Sequence, residues 1–119
     1  MTMFELMVEE TFDAAHALRG YEGACENLHG HTWRVQVFLK GTKLNKIGLM
    51  EDFKVIRKGL ADVIRPFDHK LLNDVAPFLL RNPTSENLAE TIFRQLKKKF
   101  KAVAKVTVWE SPTTCASYY

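Results

Sequence analysis

Ala24-Cys25-Glu26-Asn27-Leu28-His29-Gly30-His31 brings one of the two cysteines and two of the four histidines of this 119-residue chain into one short stretch. His29 and His31 are two apart, so on a strand they point to the same face. His16 lies a short loop upstream. Imidazole nitrogen suits Zn²⁺, and three protein ligands with an open position make a catalytic zinc site. Cys25 is close enough to lie beside such a metal without ligating it. It could equally be a fourth ligand that closes a structural Cys-His₃ site. A His-x-His pair alone is weak evidence, because ordinary strands contain such pairs.

Working outward, residues 3 to 16 alternate as a strand. Phe4, Leu6, Val8, Phe12 and Ala14 fall on one parity, and Glu5, Glu9 and Asp13 on the other. Glu10 interrupts the apolar parity and His16 continues it. Arg19 to Glu26 reads as a loop punctuated by Gly20 and Gly23. A second strand runs from about His29 to Lys40, with Trp33, Val35, Val37 and Leu39 on the parity of His29 and His31. All three histidines thus stand on the apolar faces of their strands, as an antiparallel pair needs for a shared metal. A lone core-facing histidine is ordinarily a hydrogen-bonded core residue; three converging by parity are harder to read that way.

Gly41 to Met50 predicts a turn and return, with a short strand around Ile47 to Met50. Asp52 is a good N-cap, and Phe53, Ile56, Leu60 and Ile64 follow at helical spacing. Gly59 weakens this helix slightly, and Pro66 ends it. Asp68-His69 sits in a connecting segment; brought to the site, the pair would supply a proton relay. Thr84 or Ser85 caps a second helix, and Glu86 suits its positive first turn. Leu88, Ile92, Phe93, Leu96 and Phe100 form its buried stripe. A strand from about Ala102 to Glu110 carries Val106 and Val108 on the parity of Glu110. Pro112 breaks it, and Thr114 to Tyr119 can return as a last strand. Four main strands in antiparallel hairpins, with two helices between them, predict one α+β domain over residues 1–119. Unpaired edges of such a sheet invite subunit association.

Composition agrees with that reading. Apolar content of 46% and charged content of 26% are ordinary for a globular protein. The formal charge of +3 suits an anionic small molecule but is too small to argue for nucleic acid. Much of it lies in Lys97-Lys98-Lys99-Phe100-Lys101, which reads as a solvated helix end. No apolar run is long enough to span a bilayer. The first ten residues show no secretory pattern, and two cysteines make no disulfide framework. A cytoplasmic protein with free thiols is the expectation.

With these residues placed, the chain resembles the 6-pyruvoyl-tetrahydropterin synthase and 6-carboxytetrahydropterin synthase family. The resemblance rests on Phe12-Asp13-Ala14-Ala15-His16, Cys25-Glu26-Asn27-Leu28-His29-Gly30-His31, Glu51-Asp52-Phe53, Asp68-His69-Lys70, Pro83-Thr84-Ser85-Glu86-Asn87 and Trp109-Glu110-Ser111. These marks span nearly the whole chain in the family's order. The resemblance implies the tunnelling fold, in which subunits join their sheets into a barrel with active sites between them. A homo-hexamer of two trimers is the assembly it implies.

The resemblance also implies roles. His16, His29 and His31 would hold Zn²⁺, and Cys25 would be the general base with Asp68 and His69 as its relay. Glu110 would anchor the pterin ring, with Thr84 and Ser85 near the same pocket. Without the resemblance, Glu110 reads as a solvent-facing strand end, and Thr84 and Ser85 as a plain cap. The compact Cys-x₃-His-Gly-His is closer to the bacterial carboxy branch. That branch converts 7,8-dihydroneopterin triphosphate to 6-carboxy-5,6,7,8-tetrahydropterin on the route to queuosine. The pyruvoyl activity and a non-catalytic zinc- or pterin-binding subunit are the competing readings. No Gly-rich nucleotide motif is present, which suits chemistry that needs no nicotinamide.

Overall fold

A computed structural model describes residues 2–21 and 27–119. The alternation in the first two segments becomes two long strands, β1 (Phe4–His16) and β2 (His29–Gly41), paired antiparallel along their full length. Their shared face buries Val8, Phe12 and Ala14 on β1 and Trp33, Val35, Val37 and Leu39 on β2. Each such side chain contributes roughly 1.5–3 kcal/mol when fully removed from water. The register sets Phe12 opposite Trp33, Ala14 opposite His31 and His16 opposite His29. That register carries the histidines of both strands to one end of the hairpin.

Two helices cover the apolar face. Helix α1 (Phe53–Ile64) starts where the Asp52 side chain accepts a hydrogen bond from the Lys54 N–H at 2.8 Å. It buries Ile56, Leu60, Val63 and Ile64 and leaves Phe53 half exposed. Helix α2 (Ser85–Lys99) starts at Thr84, whose hydroxyl accepts from the Asn87 N–H at 3.1 Å. It buries Leu88, Ile92 and Leu96, while Phe93 and Phe100 are only partly covered. Strands β4 (Val103–Ser111) and β5 (Thr114–Tyr118) then extend the sheet from β2.

The sheet differs from the expected four antiparallel strands. It has five, in the order β3-β1-β2-β4-β5, and it is mixed, because β3 (Lys70–Leu71) runs parallel to β1. Two residues carry no alternation to read. What places them is the backbone: the His69 N–H donates to the Asp13 carbonyl at 2.6 Å, just before Lys70 and Leu71 pair with Ala14 and Ala15. The strand expected at Ile47 to Met50 is instead a turn. Asn45 Oδ1 accepts from both the Ile47 and Leu49 N–H groups, and Gly48 takes a left-handed φ of 87°. Among the described residues no helix is long and apolar enough to cross a membrane.

The molecule is elongated, 53 × 25 × 23 Å. Its radius of gyration, 15.5 Å, exceeds the roughly 13.5 Å of a compact chain of this length. Both helices pack on the apolar side, so among the described residues the opposite sheet face, with Met7, Arg34, Phe38 and Trp109, has no layer over it.

Candidate metal centre

The end of the β1–β2 hairpin brings together the three histidines that the sequence singled out. His16 is 1% exposed, and its Nδ1 lies 2.8 Å from the Pro83 carbonyl. A carbonyl only accepts, so this nitrogen carries the proton and Nε2 presents its lone pair. His29 is fixed the same way, with Nδ1 at 2.7 Å from the Asn27 carbonyl. The two Nε2 atoms face each other at 3.1 Å. Two lone pairs at that distance repel unless a cation or proton lies between them. His31 Nε2 is buried, with no hydrogen-bond partner among the described residues, and Glu110 Oε1 lies 3.2 Å from it. The four ligand atoms all fall within 4.8 Å of one another. Tetrahedral ligation at roughly 2.0–2.1 Å separates ligand nitrogens by about 3.3–3.4 Å, so the donor set fits a metal ion.

Burial favours the neutral form of His16 and His31. Burial pushes His16 below its ordinary value, against the pull of the Pro83 carbonyl, and neighbouring His29 adds to the depression. Burial also lowers His31, although Glu110 opposes it. Neutral imidazole is the form that binds a metal. Trp33 sets the ring orientations: it packs edge-on against His16 and His31, at centroid distances of 4.9 and 5.3 Å, and its indole N–H donates to the Ala14 carbonyl.

Glu110 stands on β4 with its carboxylate between two partners. Oε1 faces His31, and Oε2 accepts from the Ser85 hydroxyl at 3.1 Å. Ser85 therefore belongs to the site. The Thr84 hydroxyl is taken up by the helix cap, and its contribution is to begin α2 where the Pro83 carbonyl reaches His16.

Asp68 and His69 form a second group, with Asp13 rather than with the histidine cluster. His69 Nδ1 lies 3.0 Å from Asp68 Oδ1, and the Asp13 N–H donates to the same oxygen at 3.0 Å. That N–H first, and the His69 ring after it, hold the Asp68 carboxyl below its ordinary range. His69 has a left-handed φ of 57°, which costs a non-glycine residue about 1–2 kcal/mol, and its side chain is 77% exposed. Cys25 lies outside the described residues.

Sequence reasoning did not find the Pro83 and Asn27 carbonyls, Trp33 as a ring support, or Asp13. Backbone acceptors have no residue signature. Asp13 was visible only as a polar-parity residue beside the His16 strand end.

A helix-backed sheet with a candidate metal-ligand cluster at one end and an uncovered face defines the class: a tunnelling-fold protein whose histidines and Glu110 could hold a metal ion. More particularly, the chain belongs to the 6-pyruvoyl tetrahydropterin synthase family, whose model matches residues 5–119. It is 31% identical to a 6-carboxy-5,6,7,8-tetrahydropterin synthase of Haemophilus influenzae, covering 98% of this chain and 99% of that one. It is 34% identical to the protein of the same name from Synechocystis, over 98% and 94% of the two chains. A dihydroneopterin monophosphate aldolase of Pyrococcus furiosus is 33% identical, over 88% of each. Among solved structures, Caenorhabditis elegans 6-pyruvoyl tetrahydropterin synthase superposes with a TM-score of 0.90 at 29% identity, covering 99% of this chain and 96% of that one.

Proposed function

We propose that this protein is a zinc-dependent lyase that converts 7,8-dihydroneopterin triphosphate to 6-carboxy-5,6,7,8-tetrahydropterin, acetaldehyde and triphosphate, on the route to queuosine. The observation that carries the reading is the meeting of two Nε2 atoms at 3.1 Å, a third that is buried without a hydrogen-bond partner among the described residues, and a carboxylate at one strand end. Near-full-length relatives named for the carboxy activity support the choice of reaction.

His16, His29 and His31 would hold the zinc, which polarises a hydroxyl of the substrate side chain when bound. Cys25 acts as general base on a carbon-bound proton. A thiol does this at neutral pH only if cationic surroundings lower its pKa. His69 passes the proton, and Asp68 holds its ring in one tautomer and orientation. Glu110 accepts two N–H bonds from the guanidine-like edge of the pterin, with Ser85 fixing the carboxylate. Asp68 and His69 group with Asp13, and His69 lines a cleft that His31 also lines; on this reading the dyad serves the cluster of another subunit across that cleft. The active unit is thus a homo-oligomer, a hexamer of two trimers.

The test is mass-spectrometric identification of the product from 7,8-dihydroneopterin triphosphate. 6-Carboxytetrahydropterin with acetaldehyde is expected. A pyruvoyl product, or cleavage of the monophosphate alone as the name of the Pyrococcus relative suggests, would move the chain to another branch.

A further inference from the structure

Beside the histidine cluster, strands β2 and β4 part. Their pairing ends at Arg34 opposite Trp109, and beyond it a cleft of about 470 Å³ opens, lined by Arg34, Trp109, Glu110, His31 and Gly30. That volume lies within the roughly 300–1,000 Å³ of small-ligand sites. One flank of the cleft is part of the metal centre. The other flank has no role in the reaction proposed above.

Arg34 is built into that flank. Its guanidinium lies over the Trp109 ring at 4.5 Å. The Trp109 indole donates to Gln36 Oε1 at 3.0 Å, and Gln36 Nε2 donates to Glu9 Oε1 at 2.8 Å. The same Glu9 oxygen lies 3.4 Å from Arg34 Nε, yet Nε is buried without a hydrogen bond. Among the described residues the guanidinium makes none at all. Other arginines of this chain are used up: Arg57 on Glu10, Arg65 on Asp62, Arg81 and Arg94 on Glu90. Arg19, at the histidine end, donates to the carbonyls of Asn73, Phe78 and Arg81. Arg34 is held over the Trp109 ring with Nε paired to Glu9, and among the described residues its two terminal nitrogens donate to nothing.

Gly30 supplies a second, independent observation. A side chain there would meet only the Ala14 carbonyl, at 4.0 Å, and its φ lies outside the left-handed region. Among the described residues nothing requires a glycine here. Its missing side chain keeps open the passage between His31 and the Arg34 cleft, as a ligand crossing this point needs.

We propose that this cleft holds the phosphate tail of the substrate, with Arg34 as the cation that binds it. The inference rests on the phosphorylated-pterin reading given above. A planar guanidinium presents paired donors to phosphate oxygens, and stacking on an aromatic ring pre-orders it for that purpose. The geometry would place a ligand's reacting end at His31 and Glu110 and its anionic end at Arg34.

Inorganic tripolyphosphate is the probe, titrated by calorimetry into the purified oligomer, both zinc-loaded and metal-stripped. We expect saturable binding in both forms, weakened about 10–100-fold in Arg34→Gln and less in Arg34→Lys. Neopterin, which has no phosphate, should bind Arg34→Gln as it binds wild type. No binding to wild type, equal binding to Arg34→Gln, or binding that requires zinc and ignores Arg34 would each overturn the proposal. So would a loss confined to Lys70→Gln, the exposed lysine on the far side of Gly30. Arg34-dependent tripolyphosphate binding in a protein that turns over no pterin would uphold this site while removing the reaction assigned to it.

Discussion

His16 stands at the meeting point of burial, tautomer and metal. Held below the ordinary value of 6.5 by burial, as His31 also is, it refuses a proton that the unfolded chain accepts. Stability is therefore complete above about pH 6.5 and is lost as pH falls toward the depressed values. Metal-stripped protein should show a lower urea midpoint at about pH 5.5 than at about pH 7.5, and an unchanged or higher one would contradict the assigned burial effect. His31→Ala should lose most of the metal, expected at about one Zn²⁺ per chain, together with activity. Full zinc retention by alanine variants at all three histidines would remove the ligand assignment. Cys25→Ala separates a base from a fourth ligand. As a base, Cys25 contributes ~10²–10⁴-fold to turnover, and its loss leaves the zinc content unchanged. Zinc loss in that variant would instead identify a closed Cys-His₃ site.

At the scale of elements, alternation and capping were the legible signals. Thirteen-residue β1 and β2 carry enough repeats to fix both face and register, and Asp52 and Thr84 mark helix starts by chemistry that acts locally. The two-residue β3 and the Asn45–Gly48 turn were not legible, because backbone partners and one side-chain carbonyl decide them. Gly59 shows how context reverses a local rule. Propensity alone says that alanine would stabilise α1 by about 1 kcal/mol. In the fold, a Cβ at position 59 would lie 2.6 and 2.8 Å from two ring atoms of Phe100. Overpacking of that kind costs about 1–3 kcal/mol, so Gly59→Ala should be net destabilising by about 1 kcal/mol. A raised denaturation midpoint would show that the ring moves aside at little cost.

For the whole molecule, the proposed role of Asp68 and His69 at the cluster of another subunit would make assembly a matter of chemistry. Glu110 and His69, on the proposed reading, serve one site from different chains. Glu110→Ala and His69→Ala proteins, each inactive, should then regain partial activity after joint dissociation and reassembly. Persistent inactivity of the mixture, or full activity in a wild-type monomer, would place the whole site within one chain. The sequence made the three histidines legible by parity and left the relation of the dyad to them open. On the proposed reading that relation depends on surfaces meeting between copies, which no pattern along one chain encodes.

The link between the His16 ring and the Pro83 carbonyl has a consequence for biosynthesis. On the ribosome, the hairpin bearing His16, His29 and His31 emerges well before Pro83, and Glu110 emerges nearly last. The rings of His16 and His31 therefore exist before the Pro83 carbonyl and Glu110 that meet them, and only the later arrival of α2 and β4 fixes them. On the proposed reading, metal offered during synthesis would meet an unfixed donor set, and metal offered afterwards a fixed one.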